Sequence, residues 1–378
     1  MRATLGYNRA LDGLRALAVG AVITQHSGYL VNGFYGVTVF FVISGYLITA
    51  LLLAEHERTG GIGIREFYRR RWARLMPALA FVIVVSLGWL LAVGVPIRSW
   101  IAGAFGAATY TTDFVEVTGA QPHISNYFEW SWSLAIEEQF YLLWPLIMVG
   151  LLALGRRLAP GRRAGTQLLL LASLGFVVLA WVDRAHMVAT HASAQRANFS
   201  FDSHLDAIAI GAIIAILVAG RTFGPVTRAV AGLSGAVGVF VLWAMVRGQS
   251  VTDWLRSDFN AYGQLTLVCA VVVVAVVVAP RGPLGRVLAW APLAHLGQLS
   301  YGLYLWNMLV RNVFEHYAGH KPAHAGWAHV AWLLALVAVA ELSYRFVETP
   351  LRRRWAHRPD AAPSPPAEPR TAEVLTSV

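Results

Sequence analysis

The chain has 378 residues, of which 57% are hydrophobic and only 13% charged. A water-soluble domain carries about a quarter charged residues, so a bilayer is the solvent this composition calls for. A soluble enzyme of this length is excluded. The net charge of +10 arises from arginine blocks between apolar runs, which is how loops on the cytoplasmic side of a membrane read. It does not point to nucleic acid. The single cysteine, Cys269, lies inside an apolar run, which excludes an intramolecular disulfide and a cysteine-based metal site.

A membrane-crossing helix needs about 20 mostly apolar residues. Runs of that kind fall at 11–30, 36–55, 75–95, 134–155, 167–189, 204–219, 229–247, 262–279, 296–317 and 327–347. The first is followed at once by others and lacks a cleavage site, so it is expected to be retained rather than removed as a signal peptide. The fold class is therefore all-α, a polytopic membrane protein with about ten transmembrane helices. Segment 98–115 is also apolar, and charge decides its fate. One arginine block (Arg65, Arg69, Arg70, Arg71, Arg74) follows the second run, and another (Arg156, Arg157, Arg162, Arg163) follows the fourth. Both belong in the cytoplasm, and a full crossing by 98–115 would put the second block outside. This segment is thus expected to be re-entrant, interfacial or a short buried helix. With that choice, arginines favour one side by roughly three to one. The expected location is the cell membrane, with both termini cytoplasmic. Residues 1–356 form the expected membrane domain. Residues 357–378, rich in proline and alanine, form an expected disordered cytoplasmic tail.

Ionisable residues inside spans are costly and mark function. The first run holds Asp12, Arg15 and His26. Arg15 and His26 are eleven residues apart, so they project from one helix face at an axial separation of about 16 Å. Taken singly, Arg15 reads equally as a snorkelling interfacial cation and His26 as an interhelical hydrogen-bonding group. In the stretch Ser133-Leu134-Ala135-Ile136-Glu137-Glu138, Ser133 is positioned to cap a helix. Two adjacent carboxylates point about 100° apart, so one of Glu137 and Glu138 faces the bundle. That carboxylate is expected to orient His26 for general base chemistry. Arg71 and Arg74 share a face at i, i+3. They read either as an ordinary positive-inside anchor or as a phosphate clamp. Asp206 opens the 204–219 run, where an ion pair or cap is the plainer role.

Together these clusters resemble the acyltransferase-3 family of membrane O-acyltransferases. The resemblance rests on Leu11-Asp12-Gly13-Leu14-Arg15 leading to His26, on Phe40-Phe41-Val42-Ile43-Ser44-Gly45-Tyr46-Leu47-Ile48, and on Arg71-x-x-Arg74 before Pro77. It continues through Trp132-Ser133-Leu134 to Glu137-Glu138-Gln139-Phe140-Tyr141, Leu205-Asp206-Ala207, Ser300-Tyr301-Gly302-Leu303-Tyr304-Leu305-Trp306 and Glu348-x-Pro350-Leu351. Any one motif is weak, and the ordered set is specific. The resemblance implies O-acylation of a cell-surface glycan, a lipid-linked sugar or a macrolide sugar. It implies a short acyl group, acetyl foremost, from acyl-CoA as donor substrate, with no bound cofactor. It ties activity to Arg15, His26, Arg71 and Arg74. On this reading Arg15, Arg71 and Arg74 bind the phosphates of coenzyme A. His26, with Glu137 or Glu138, performs catalysis by direct proton removal or through an acyl-histidine, and Asp12, Ser133 and Asp206 support the site. No metal is expected. Two departures stand out: Thr38 where the family commonly has Asp, and Asn307 where a histidine usually follows Trp306. Many relatives also carry a C-terminal extracytoplasmic esterase-like domain, so here the membrane domain is expected to complete the transfer. Two alternatives stay open: a transporter or flippase for a polar or sugar substrate, and a non-catalytic scaffold or sensor.

Overall fold

In a bilayer no water satisfies backbone N–H and C=O groups, so each crossing segment closes its hydrogen bonds within a helix. The computed structural model describes residues 7–30, 32–118, 125–159, 162–190, 193–247, 260–324 and 326–356, and among them the chain is helical, without strands. The expected tail at 357–378 lies outside the described residues. The elements are α1 (Arg9–His26), α2 (Tyr35–Thr59), α3 (Ile64–Ala92), α4 (Ile101–Thr109), α5 (Thr112–Thr118), α6 (Ser125–Phe128), α7 (Trp132–Leu158), α8 (Arg162–Ala189), α9 (Ala194–Phe199), α10 (Phe201–Val218), α11 (Pro225–Arg247), α12 (Asn260–Val278), α13 (Pro283–Leu288), α14 (Ala291–Gln298), α15 (Ser300–Ala318), α16 (Trp327–Ser343) and, after a π-helical turn at Tyr344–Glu348, α17 (Thr349–Ala356).

Each of the ten expected runs meets a helix. Seven are long and apolar enough to cross a membrane by length and composition alone. The other three fall short of that measure for visible reasons. Helix α1 carries Arg9, Asp12 and Arg15, α15 carries Arg311 and Glu315, and α12 is short. Segment 98–115 does not form a span. A 3₁₀ turn at Ile97–Ser99 leads into α4, and Tyr110 then breaks the path in the left-handed region (φ 55°) before α5. Helices of nine and seven residues are too short to cross. The segment is pinned to α7 instead: Gln139 Nε2 donates to both oxygens of Asp113 at 3.0 and 2.9 Å, and Thr112 shares a 2.7 Å hydrogen bond with Ser131.

Helix α2 is the axis of the bundle, with 78% of its apolar window buried, against 11% for α11 at the periphery. It packs most extensively on α10. Glycines set that approach: a Cβ at Gly45 would strike the Ile208 carbonyl, and one at Gly211 the Val42 carbonyl. Small residues let membrane helices exchange van der Waals contact at close range, where lipid provides no hydrophobic drive between helices. The two arginine blocks lie at the same end of the bundle, since Arg156 at the close of α7 donates to the Gly60 carbonyl between α2 and α3 at 3.1 Å.

Candidate active site

A cavity of about 1160 Å³ runs between α1, α2, α3, α7 and α15. Toward the arginine-rich end it is lined by Glu55, Glu57, Arg58 and Arg70. Inside, Arg15, Arg71 and Arg74 face it from α1 and α3. An apolar wall of Val37, Phe40, Leu47 and Leu134 follows, with Ser44, Glu137 and Tyr141 among it, and Ser133 and Tyr304 also line the cavity. The structure thus gathers Arg15, Arg71, Arg74, Glu137 and Ser133 at one cavity.

The three arginines differ in their surroundings. Arg15 has one loose ion pair, to Asp12 at 3.7 Å. Asp12 also accepts a hydrogen bond from the Tyr7 hydroxyl, which in turn accepts one from Gln298 at 2.7 Å. Arg71 holds Glu138 through Nε at 3.0 and 3.1 Å and Nη2 at 2.5 Å. Its guanidinium also lies 3.1 Å above the Tyr141 ring. Arg74 makes no hydrogen bond or ion pair among the described residues, and it feels the like charges of Arg15, Arg71 and Arg352. A cation held among cations is relieved by an anion.

The two carboxylates part as their spacing requires. Glu138 turns to α3 and Arg71, whereas Glu137 faces the cavity, 3.5 Å from the Tyr141 hydroxyl and hydrogen-bonded to Ser44. His26 bonds to neither, which corrects the expectation that one of them orients it. Its Nδ1 lies 2.5 Å from Asn307 Oδ1. Asn307 is fully buried, and its Nδ2 donates to the Tyr304 carbonyl. A carbonyl only accepts, so the amide nitrogen must face it and Oδ1 must face the imidazole. Nδ1 therefore carries the proton, and Nε2 carries the free lone pair. His26 is not among the cavity-lining residues. Asn307 in turn is held by the Tyr304 backbone carbonyl, one turn back along α15.

Ser133 does not cap its helix. Helix α7 starts at Trp132 after a 3₁₀ turn, which places Ser133 inside the first turn. Its hydroxyl meets the Tyr304 hydroxyl at 2.5 Å. Tyr304 gives its own proton to the Trp130 carbonyl at 2.6 Å, so Ser133 is the donor to Tyr304. Asp206 lies away from the cavity. It forms a buried ion pair with Arg184 at 2.5 Å and accepts from Trp181 Nε1 at 3.2 Å, tying α8 to α10. Sequence reasoning missed Ser44, Tyr141, Tyr304 and Asn307 as site residues. The only signal was their place in the motifs, together with the unusual asparagine after Trp306.

Residues 8–342, nearly all of the helical region, match the acyltransferase domain family. The chain belongs to that family. It is 32% identical over 372 residues to O-acetyltransferase OatA of Staphylococcus aureus, an alignment covering 92% of this chain and 58% of that protein. It is 28% identical over 375 residues to peptidoglycan O-acetyltransferase OatA of Listeria monocytogenes, covering 93% of this chain and 58% of the relative. The chain thus spans less than two thirds of the length of these relatives. No solved structure matches it.

Proposed function

We propose that this protein is a membrane O-acetyltransferase that moves an acetyl group from acetyl-CoA to a hydroxyl of a cell-envelope glycan. One observation carries the reading. A single cavity joins Arg15 and Arg74, which makes no ion pair among the described residues, to Ser133 and Tyr304, and the backbone carbonyl of Tyr304 holds Asn307, whose Oδ1 orients a histidine with a free Nε2. The arginine-rich end is cytoplasmic in this reading, as are both termini, because arginines favour that side. The phosphates of coenzyme A bind at Arg15 and Arg74, where forked guanidinium donors suit them. The pantetheine arm lies along the apolar wall. The axial distance from Arg15 to His26, about 16 Å, matches such an arm in scale.

The chemical step requires the thioester and the acceptor to reach past the cavity to His26, whose Nε2 takes the proton of the acceptor hydroxyl as the oxygen attacks the thioester carbonyl. The tetrahedral intermediate collapses with cleavage of the C–S bond. The thiolate leaves and recovers the proton from His26. The names of both relatives support acetyl as the group, and that of the Listeria relative supports a peptidoglycan hydroxyl as the acceptor class. A macrolide sugar would present the same hydroxyl chemistry, and the acceptor assay distinguishes the two.

The test is acyl transfer from labelled acetyl-CoA by purified protein in detergent, with peptidoglycan fragments or a macrolide as acceptor. Transfer without compartments is something a transporter or flippase does not perform. His26→Ala is expected to abolish transfer while the protein remains inserted and monodisperse. An active His26→Ala enzyme refutes the assignment.

A further inference from the structure

We propose that Arg71 is a positioning residue, the strut that holds Glu137 and Tyr141 in the cavity, and not a ligand for the donor's phosphates. The proposal rests on the acyl-transfer reading above and refines it. A phosphate clamp needs guanidinium N–H groups that are free to turn to the ligand. Arg71 commits its Nε–H and one Nη2–H to Glu138, which it engages through both carboxylate oxygens, so turning the fork to a phosphate would break these bonds. One of its faces is covered by the Tyr141 ring at 3.1 Å. Both partners of the pair are largely shielded, at 17% and 20% side-chain exposure. Releasing Arg71 to an anion would strand Glu138 as an uncompensated carboxylate, which is a costly exchange in such a setting. Arg74, three residues on along the same face, has no such commitment.

The geometry also says what the strut supports. Glu137 and Tyr141 are one turn apart on a single face of α7 and both line the cavity. Glu138 projects about 100° away and reaches α3. Arg71 therefore locks α7 to α3 through Glu138. By stacking on Tyr141, it also fixes the ring whose hydroxyl stands 3.5 Å from Glu137 Oε2. Loosening this bridge leaves the phosphate site intact and lets the polar groups beside the apolar wall drift. Misplacing a substrate by about 1 Å costs roughly 100-fold in rate even when the altered group is remote from the chemistry.

Glu138→Gln separates the two roles because they predict opposite signs. If Arg71 were a phosphate ligand, removing the Glu138 charge would free it and tighten coenzyme A binding. As a strut it loses its anchor, so turnover falls by roughly 10- to 100-fold while the Kd for free coenzyme A stays within about twofold. Arg71→Gln is expected to give the same pattern, and the double variant no further loss, since both changes remove one interaction. Arg74→Gln is expected to do the reverse, weakening coenzyme A by roughly tenfold, the scale of one charged hydrogen bond lost. Binding is measured calorimetrically on purified protein of verified monodispersity. Turnover is read as O-acetyl release from the envelopes of cells expressing each variant. Tighter coenzyme A binding by Glu138→Gln overturns the proposal, as does wild-type turnover in that variant. If the wild-type protein binds no coenzyme A, the donor assignment fails instead. The strut then stands or falls on whether Glu138→Gln and Arg71→Gln lose envelope acetylation equally and non-additively.

Discussion

Asn307 is the residue through which the catalytic reading is most exposed to test. Its Oδ1 holds His26 Nδ1 at 2.5 Å, and its own amide is fixed by the Tyr304 carbonyl inside a fully buried position. Asn307→Ala removes the acceptor and leaves an imidazole N–H unsatisfied, a penalty of about 1–3 kcal/mol. The ring can avoid that penalty only by moving the proton to Nε2 or by rotating, and each course takes the lone pair away from the acceptor hydroxyl. At about 1.4 kcal/mol per factor of ten, turnover is expected to fall by roughly 5- to 100-fold. The KM for acetyl-CoA is expected to hold, because Arg15 lies about 16 Å from His26 along α1. Asn307→Leu, which keeps volume but not the acceptor, is expected to match the alanine variant. Asn307→Asp keeps an acceptor for Nδ1 but sets an oxygen against the Tyr304 carbonyl, so its activity is expected to fall between. The assay is initial rate against acetyl-CoA concentration in detergent, with insertion checked by size exclusion. Near wild-type turnover in Asn307→Ala, or a loss confined to KM, would refute the assignment of the Nδ1 proton and with it the role of His26 Nε2.

Two stability predictions follow from the packing. Gly45→Val drives a branched side chain into the Ile208 carbonyl of α10. It is expected to cost at least the 1–3 kcal/mol of ordinary overpacking and to lower the melting temperature in detergent. Gly20→Ala, where a Cβ meets nothing within 4 Å, is the neutral control. At the buried pair, Arg184→Met strands Asp206, which is 1% exposed, at an expected cost of about 3–5 kcal/mol. The double variant Arg184→Met/Asp206→Leu is expected to recover part of that loss in thermal unfolding. A double variant less stable than the single one would contradict the ion-pair account.

The order of the long apolar helices was legible in the residues because the bilayer forces each crossing to be a long apolar run with internally closed hydrogen bonds. Charge was equally informative. The arginine blocks settled that 98–115 does not cross, and the Arg156 bond to Gly60 brings the two blocks to one end. The opposite directions of Glu137 and Glu138 followed from helix geometry alone. Which of the two faced the cavity did not, because that depends on where α3 sits, and the bond that decides it joins residues 67 apart in sequence. The partner of His26 lies 281 positions away. Local spacing suggested a carboxylate for that place, whereas the packing of α15 against α1 supplied an amide. Helical periodicity tells a side chain which way to point along its own axis. What it meets there is set by the crossing of a second helix, and only the folded bundle contains that.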